Sequence, residues 1–346
     1  MGRPDPERER FVADVGAMLA EKYGENASSA SWLHASQIVE TSVSSQNTFS
    51  LIAEMYNRHR VLGRNVINEL ALKACLQALR PVDLHLEIRV GRTNTDHFVT
   101  IEGVIDACDR LGLRLAGVTS VPSKCGLDWL TELNLQLQAV PDHRWRPGKI
   151  LPGHILYGWP VKSPSITGAT FADILAKEFE LGIDTSLWGA IKESLHMKGS
   201  VSRLRSFLER SHKDLCDRSL SDVLMVENPC LVTAINQARA EGTAFIRHIW
   251  IDGLQSSIAN AIEASGNQCS AVIERGSWKC PAVYNFLRLS KGMPWAAMDH
   301  LCNGLQMVSV VVPGIGSVPE GAVRIGEIRE KNAGQNPVRF EGAYRF

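Results

Sequence analysis

The chain has 346 residues, 45% hydrophobic and 21% charged, a balance that excludes a disordered or fibrous protein and fits one large domain or two to three ordinary ones. Its 37 basic and 37 acidic side chains cancel, so no whole-molecule field draws it to nucleic acid or to an anionic membrane. Eight cysteines with no C-x-x-C spacing exclude a zinc ribbon and a disulfide scaffold, and scattered single thiols predict a reducing compartment.

The first eleven residues are rich in Arg, Glu, Asp and Pro and contain no apolar signal core. No apolar run approaches the roughly 18 residues of a membrane span. The expectation is a soluble cytoplasmic protein with no membrane partner. Phe11, Val15, Met18, Leu19 and Tyr23 recur at helical spacing before Gly24. Further helices are predicted over 49–56 and 65–79, the last stopping before Pro81, so residues 1–80 read as a helical N-terminal region.

Strict alternation from Leu84 to Val90 then predicts a strand. A helix over 99–111 follows, with strands at 113–118 and 135–140. Residues 161–243 read as a helical insertion, with helices near 171–181, 186–196, 201–215 and 230–240. Strand patterning returns at 245–251, followed by a helix at 254–264 and a strand at 270–273. Two short helices and strands at 307–312 and 322–328 complete the body, and 329–346 reads as a surface tail. Strands separated by helices predict an α/β fold with a mostly parallel sheet and flanking helices, in which 81–160 and 244–328 share one sheet.

In such a sheet ligands bind outside the carboxyl ends of the strands. The loops to search are therefore 91–97, 119–125, 141–146, and those opening at Asp252, Glu274 and Pro313. Val312-Pro313-Gly314-Ile315-Gly316-Ser317 lacks the third glycine of a dinucleotide loop and predicts a plain turn. Cys125 reads as an ordinary free thiol.

The sharpest pattern is Asp83-x-His85-x-Glu87-x-Arg89, which places these side chains on one strand face. Asp, His and Glu are the oxygen and nitrogen ligands of a Zn²⁺, Mn²⁺ or Fe²⁺ site, and such a metal activates water for hydrolysis. The leading expectation is a metal-dependent hydrolase: Asp83, His85 and Glu87 hold the divalent metal, and His97 joins them in catalysis. A strand with one solvated face shows the same stripe. Arg92 and Asn94, with the backbone of the same loop, suit a small anionic substrate bearing phosphate or carboxylate, and His143 completes that set.

The alternative is a nucleic-acid-binding protein. Residues 172–192, with a glycine turn at Gly182 and apolar Leu181, Ile183, Trp188 and Ile191 around it, resemble a helix-turn-helix. Lys177 and Glu178 depart from that motif, falling where it buries an apolar and a small residue. On this reading Thr185, Ser186 and Lys192 contact DNA or RNA, and the next helix adds Arg203, Arg210 and Lys213. A non-catalytic subunit or scaffold is the third expectation.

Overall fold

The strands pair into two separate sheets, one in each of two compact units. The computed structural model describes residues 37–43, 56–77, 79–90, 95–122, 132–141, 148–162, 217–224, 226–240, 243–248, 253–266, 268–291, 294–301, 303–314, 318–332 and 334–346, with a few isolated positions between them. Unit 1 comprises 1–142 and 169–205, and unit 2 comprises 143–168 and 206–346.

In unit 1 the four strands are β1 (Gln37–Val43), β2 (Leu79–Val90), β3 (Arg114–Pro122) and β4 (Glu132–Pro141), in the order β1-β4-β2-β3. β4 runs antiparallel to both of its neighbours. β2 and β3 are parallel, as a crossover helix requires, and that helix is α2 (Thr95–Leu111). The alternation in β2 now has its cause. Leu84, Leu86 and Ile88 stand opposite Leu137, Leu135 and Leu133, and all six are buried. Helix α1 (His59–Leu76) packs on β1, β2 and β4.

Two glycines set how closely the helices approach. A Cβ at Gly63 would land on the Thr100 carbonyl oxygen, and one at Gly103 would land on the Arg60 carbonyl oxygen. On the exposed side of this contact, Arg60 and Arg64 both donate to Asp106, at 2.8 Å and 2.6 Å. Burial pushes the Asp106 carboxyl up, but hydrogen bonds from Arg64 and Arg60 outweigh it and hold the group below its usual value.

Unit 2 is built on six strands: β5 (Ile155–Pro160), β6 (Thr243–His248), β7 (Cys269–Glu274), β8 (Leu305–Val311), β9 (Val323–Glu330) and β10 (Val338–Glu341). Their order is β10-β7-β9-β5-β8-β6. Among the described strands of this unit only β7 and β10 are parallel. The helices of the unit are α3 (Leu220–Leu224), α4 (Val232–Ala240), α5 (Gly253–Ala264), α6 (Ala282–Lys291) and α7 (Trp295–Met298). Strand β8 is buried along its whole length. Gly158 gives it room, since a Cβ there would press on Leu305 and Ile325.

The fold is thus mixed α/β with two sheets and several helices, and the expectation of a mostly parallel sheet is corrected. Among the described residues six of the eight strand pairings are antiparallel. Of the segment 81–160 only β5 shares a sheet with the strands of 244–328; the strands between 79 and 141 lie in the other. Hydrophobic period reports which face is buried and carries no information on strand direction. β1 lies in the stretch read as helical, and β10 lies in the stretch read as a tail. Pro81 opens no loop but sits inside β2, at a bulge where a residue without N–H does no harm. The helices expected over 11–24, 49–56, 171–181, 186–196 and 201–215, the helix-turn-helix resemblance among them, lie outside the described residues. Among the described residues no helix is long and apolar enough to cross a membrane.

The glycine contact makes a direct test. Gly103→Ala pushes a methyl group into backbone, which cannot swing aside, so it should cost about 2 kcal/mol. In urea denaturation its midpoint should fall, while Gly112→Ala, whose Cβ meets open space, should lose only what its left-handed backbone (φ 64°) demands. An unchanged midpoint for Gly103→Ala would show that α1 and α2 are not in backbone contact.

Candidate functional site

Helix α1 has two opposed faces. Gly63 marks the face against α2. On the other, Asn65, Asn68 and Glu69 follow the i, i+3, i+4 spacing that puts side chains together on a helix. All three are buried, Glu69 with 6% of its surface exposed. Glutamate is almost never buried without compensation, and Glu69, like Asn65 and Asn68, has an interaction partner. These residues were not singled out from the sequence, because polar residues at helical spacing read as a wet surface. The one available signal was Asn-x-x-Asn-Glu inside a run otherwise dominated by Val, Ile, Leu and Ala.

The β2-α2-β3 crossover is the second element. In the chain, residues 91–94 come between the carboxyl end of β2 and the start of α2. Further back on β2, Asp83 is engaged. Arg114 grips it with a fork, Nε to Oδ1 at 3.0 Å and a terminal nitrogen to Oδ2 at 2.8 Å. That hydrogen bond raises the Arg114 guanidinium above its usual value. His85 is half-buried on β2, its ring 2.8 Å from where a Cβ on Gly117 would stand. Glu87 is also half-buried, and His97 is fully buried in α2. Among the described residues no three His, Cys, Asp or Glu side chains gather in a way that could hold a metal ion. Arg92, Asn94 and His143 lie outside the described residues, as do Thr185, Ser186, Lys192, Arg203, Arg210 and Lys213.

Unit 2 carries a different cluster. Arg275, in a 3-10 turn after β7, forks onto Asp299, Nε to Oδ1 at 2.9 Å and a terminal nitrogen to Oδ2 at 2.5 Å. The Tyr344 hydroxyl donates to Asp299 Oδ1 at 2.8 Å. Asn303 Nδ2 donates to the Tyr344 hydroxyl at 2.9 Å and to the Met298 carbonyl at 2.7 Å. Asn303 and Gly304 are both left-handed (φ 49° and 77°), an Asn-Gly turn that delivers the chain into β8. Burial, with the Asp299 carboxylate, pushes the Tyr344 phenol far up and keeps it neutral. Trp278 meets Tyr344 edge-on at 5.5 Å. Every strong donor here is occupied by protein, so the cluster serves as a structural clasp.

No protein-family model matches the chain. By sequence it is similar to the bifunctional purine biosynthetic protein PUR2,5 of Pichia angusta, 20% identical over 278 residues. It is also similar to the phosphoribosylformylglycinamidine cyclo-ligase of Geobacter metallireducens, 27% identical over 172 residues. These matches take in 76% and 47% of this chain and span only 30% and 48% of the two relatives' own lengths. Among solved structures, thiamine monophosphate kinase from Aquifex aeolicus superposes with a TM-score of 0.54 at 9% identity, covering 97% of this chain and 99% of that one. E. coli HypE, a hydrogenase maturation protein, gives 0.54 at 14% identity, covering 97% and 96%. HypE in complex with ATP gives 0.53 at 12% identity, covering 98% and 92%. At such identities the likeness shows the fold, and the fold is that of thiamine monophosphate kinase and HypE.

These findings overturn both leading expectations from sequence. The relatives are a cyclo-ligase, a kinase and a maturation protein seen with ATP, so neither the metal-dependent hydrolase nor the nucleic-acid-binding protein stands. DNA or RNA is withdrawn as a partner with them. The polar stripe of β2 pointed to hydrolysis only because a strand face carrying Asp, His and Glu has the same composition whether it meets a metal, a guanidinium or water.

The clasp in unit 2 has a measurable energy. Asp299→Ala leaves the half-buried Arg275 charge without its carboxylate and should destabilise by on the order of 1.5–3 kcal/mol. Tyr344→Phe removes one neutral donor and should cost about 1 kcal/mol. Urea unfolding of the three proteins checks the ranking; equal losses would mean that the tyrosine, not the ion pair, holds the cluster.

Proposed function

We propose that the chain is a nucleotide-dependent enzyme of the kinase or ligase type, which binds ATP in unit 1 and uses it to activate a small substrate. The observation that carries this reading is a fold shared over nearly the whole chain with a kinase and with a protein seen bound to ATP. Unit 1 adds the β2-α2-β3 crossover and the oxygen-bearing side chains of Asn65, Asn68 and Glu69 on α1. The particular substrates of those proteins are theirs.

The residues divide the work by their chemistry. Glu69 with the amide oxygens of Asn65 and Asn68 is an all-oxygen donor set, which fits Mg²⁺ better than Zn²⁺. Mg²⁺ uses one or two carboxylates and takes the rest of its ligands from water and nucleotide phosphates, so a single buried carboxylate is enough. When bound, the ion neutralises charge on the transferring phosphoryl group. Arg92 is suited to the phosphates through its forked donors, with Asn94 and the amides opening α2 beside it. This keeps the sequence-based assignment of Arg92 and Asn94 to an anion, with nucleotide phosphate as that anion. Asp83 instead orders Arg114, and the pair braces β2 against β3.

Isothermal titration of the whole chain with ATP and Mg²⁺ tests this. Saturable binding is expected, weakened about tenfold, or 1.4 kcal/mol, by Arg92→Ala. Glu69→Gln should remove the Mg²⁺ dependence of binding while its circular dichroism melt still shows a folded protein. Absence of saturable heat with ATP, or a Glu69→Gln protein that responds to Mg²⁺ as the parent does, would contradict the assignment.

A further inference from the structure

Unit 2 contains a cleft of about 530 Å³, within the size range of small-molecule sites. One wall is the chain leading into β5, from Lys149 to Pro152. The others come from the exit of α5 at Ser265 and the end of β9 at Glu330. The first wall is held at several points. The Ile150 amide donates to Ser265 Oγ at 3.5 Å, and Cys269 Sγ donates to the Ile150 carbonyl at 3.9 Å. The Leu151 amide donates to His154 Nδ1 at 3.4 Å, and the His154 amide donates back to the Leu151 carbonyl at 3.3 Å. His154 is buried, which lowers its pKa, keeps the ring neutral and leaves Nδ1 a lone pair to accept with. The Gly153 amide donates to the Ile328 carbonyl, and the Ile328 amide to the His154 carbonyl, both at 2.8 Å, which ties the turn to β9. The cleft is therefore preformed rather than opened by a ligand.

Its lining holds one cation and one anion that do not meet. Lys149 and Glu330 both line the cleft, yet among the described residues neither enters an ion pair, with each other or with a third group. Lys331 lines the cleft too, but it already has an interaction partner. Beside the two charges stands an apolar surface. Leu151, at 52% exposure, is one of the few large apolar side chains left exposed among the described residues, and Pro152 follows it.

From this lining we infer that the cleft binds a zwitterionic α-amino acid with an apolar side chain, its carboxylate on Lys149, its ammonium on Glu330 and its hydrocarbon on Leu151 and Pro152. A zwitterion answers both charges at once. A plain carboxylate meets Lys149 but is repelled by Glu330, and a plain amine meets Glu330 but is repelled by Lys149. The lysine ammonium is a point charge that takes a carboxylate from many directions, so no fork geometry is needed. The ligand's hydrocarbon leaves water against Leu151 and Pro152, which a small polar zwitterion would leave uncovered. The site belongs to unit 2 and shares no residue with the nucleotide reading of unit 1.

Titration calorimetry of the full chain with leucine, isocaproate (leucine without its ammonium) and isopentylamine (leucine without its carboxylate) decides it. Leucine should give saturable heat, and each single-charge analogue should bind about fivefold more weakly. Lys149→Gln and Glu330→Gln change exposed side chains and leave the melting curve in place. Each should weaken leucine about fivefold. ATP binding should be the same in both variants, and leucine binding the same in Glu69→Gln, so failure here and failure of the nucleotide reading are separable. No saturable heat with leucine, either analogue binding as tightly as leucine, or an unchanged leucine affinity in either variant would each overturn the inference.

Discussion

Unit 1 depends on one constraint: two helix backbones that touch. Gly63 of α1 and Gly103 of α2 have no side chain because each stands against a carbonyl of the other helix. This contact fixes α1 against the crossover helix, and through it against the parallel pair β2 and β3. It also decides the second face of α1. Once the Gly63 side is committed to α2, Asn65, Asn68 and Glu69 point the other way, yet they stay buried. Buried polar side chains need partners, and Asn65, Asn68 and Glu69 each have one.

Unit 2 solves its own packing problem with charge rather than with glycine. Its clasp places the guanidinium of Arg275 and the carboxylate of Asp299 almost out of water, at 14% and 6% side-chain exposure, and surrounds them with Tyr344 and Asn303. Such a pair gives little net stability against an apolar replacement, but it imposes a single geometry on three chain segments, because a half-formed version is expensive. The ion pairs along β9 and β10, Arg324 and Arg329 with Glu327 and Arg339 with Glu341, are exposed and contribute little. Their service is to keep the outer face of the sheet wet.

Much of the local structure was legible in the residues. The alternation from Leu84 to Val90, the helix that follows it and the strand at Leu115 together form the crossover, and the pattern named all three parts. Partner direction was not legible, because β4 returning antiparallel beside β2 leaves the same alternation as a parallel neighbour would. β5 was hidden by Gly158 and Pro160, which weaken a strand by propensity but sit where the core demands a missing side chain and a bulge. The candidate site was hidden for a further reason. Asn65, Asn68 and Glu69 look like a solvated helix face until the structure shows them buried, and burial is a property of the whole unit. Asp83 was visible but misassigned, since its partner Arg114 stands 31 residues away in sequence.

The central claim is that unit 1 is the nucleotide site. Photo-crosslinking with an azido analogue of ATP, followed by proteolysis and mass spectrometry, tests it most directly. The account predicts Mg²⁺-dependent labelling of peptides from unit 1, around α1 and residues 91–94, that unmodified ATP competes away. Labelling confined to unit 2, or labelling that ATP does not displace, would contradict it.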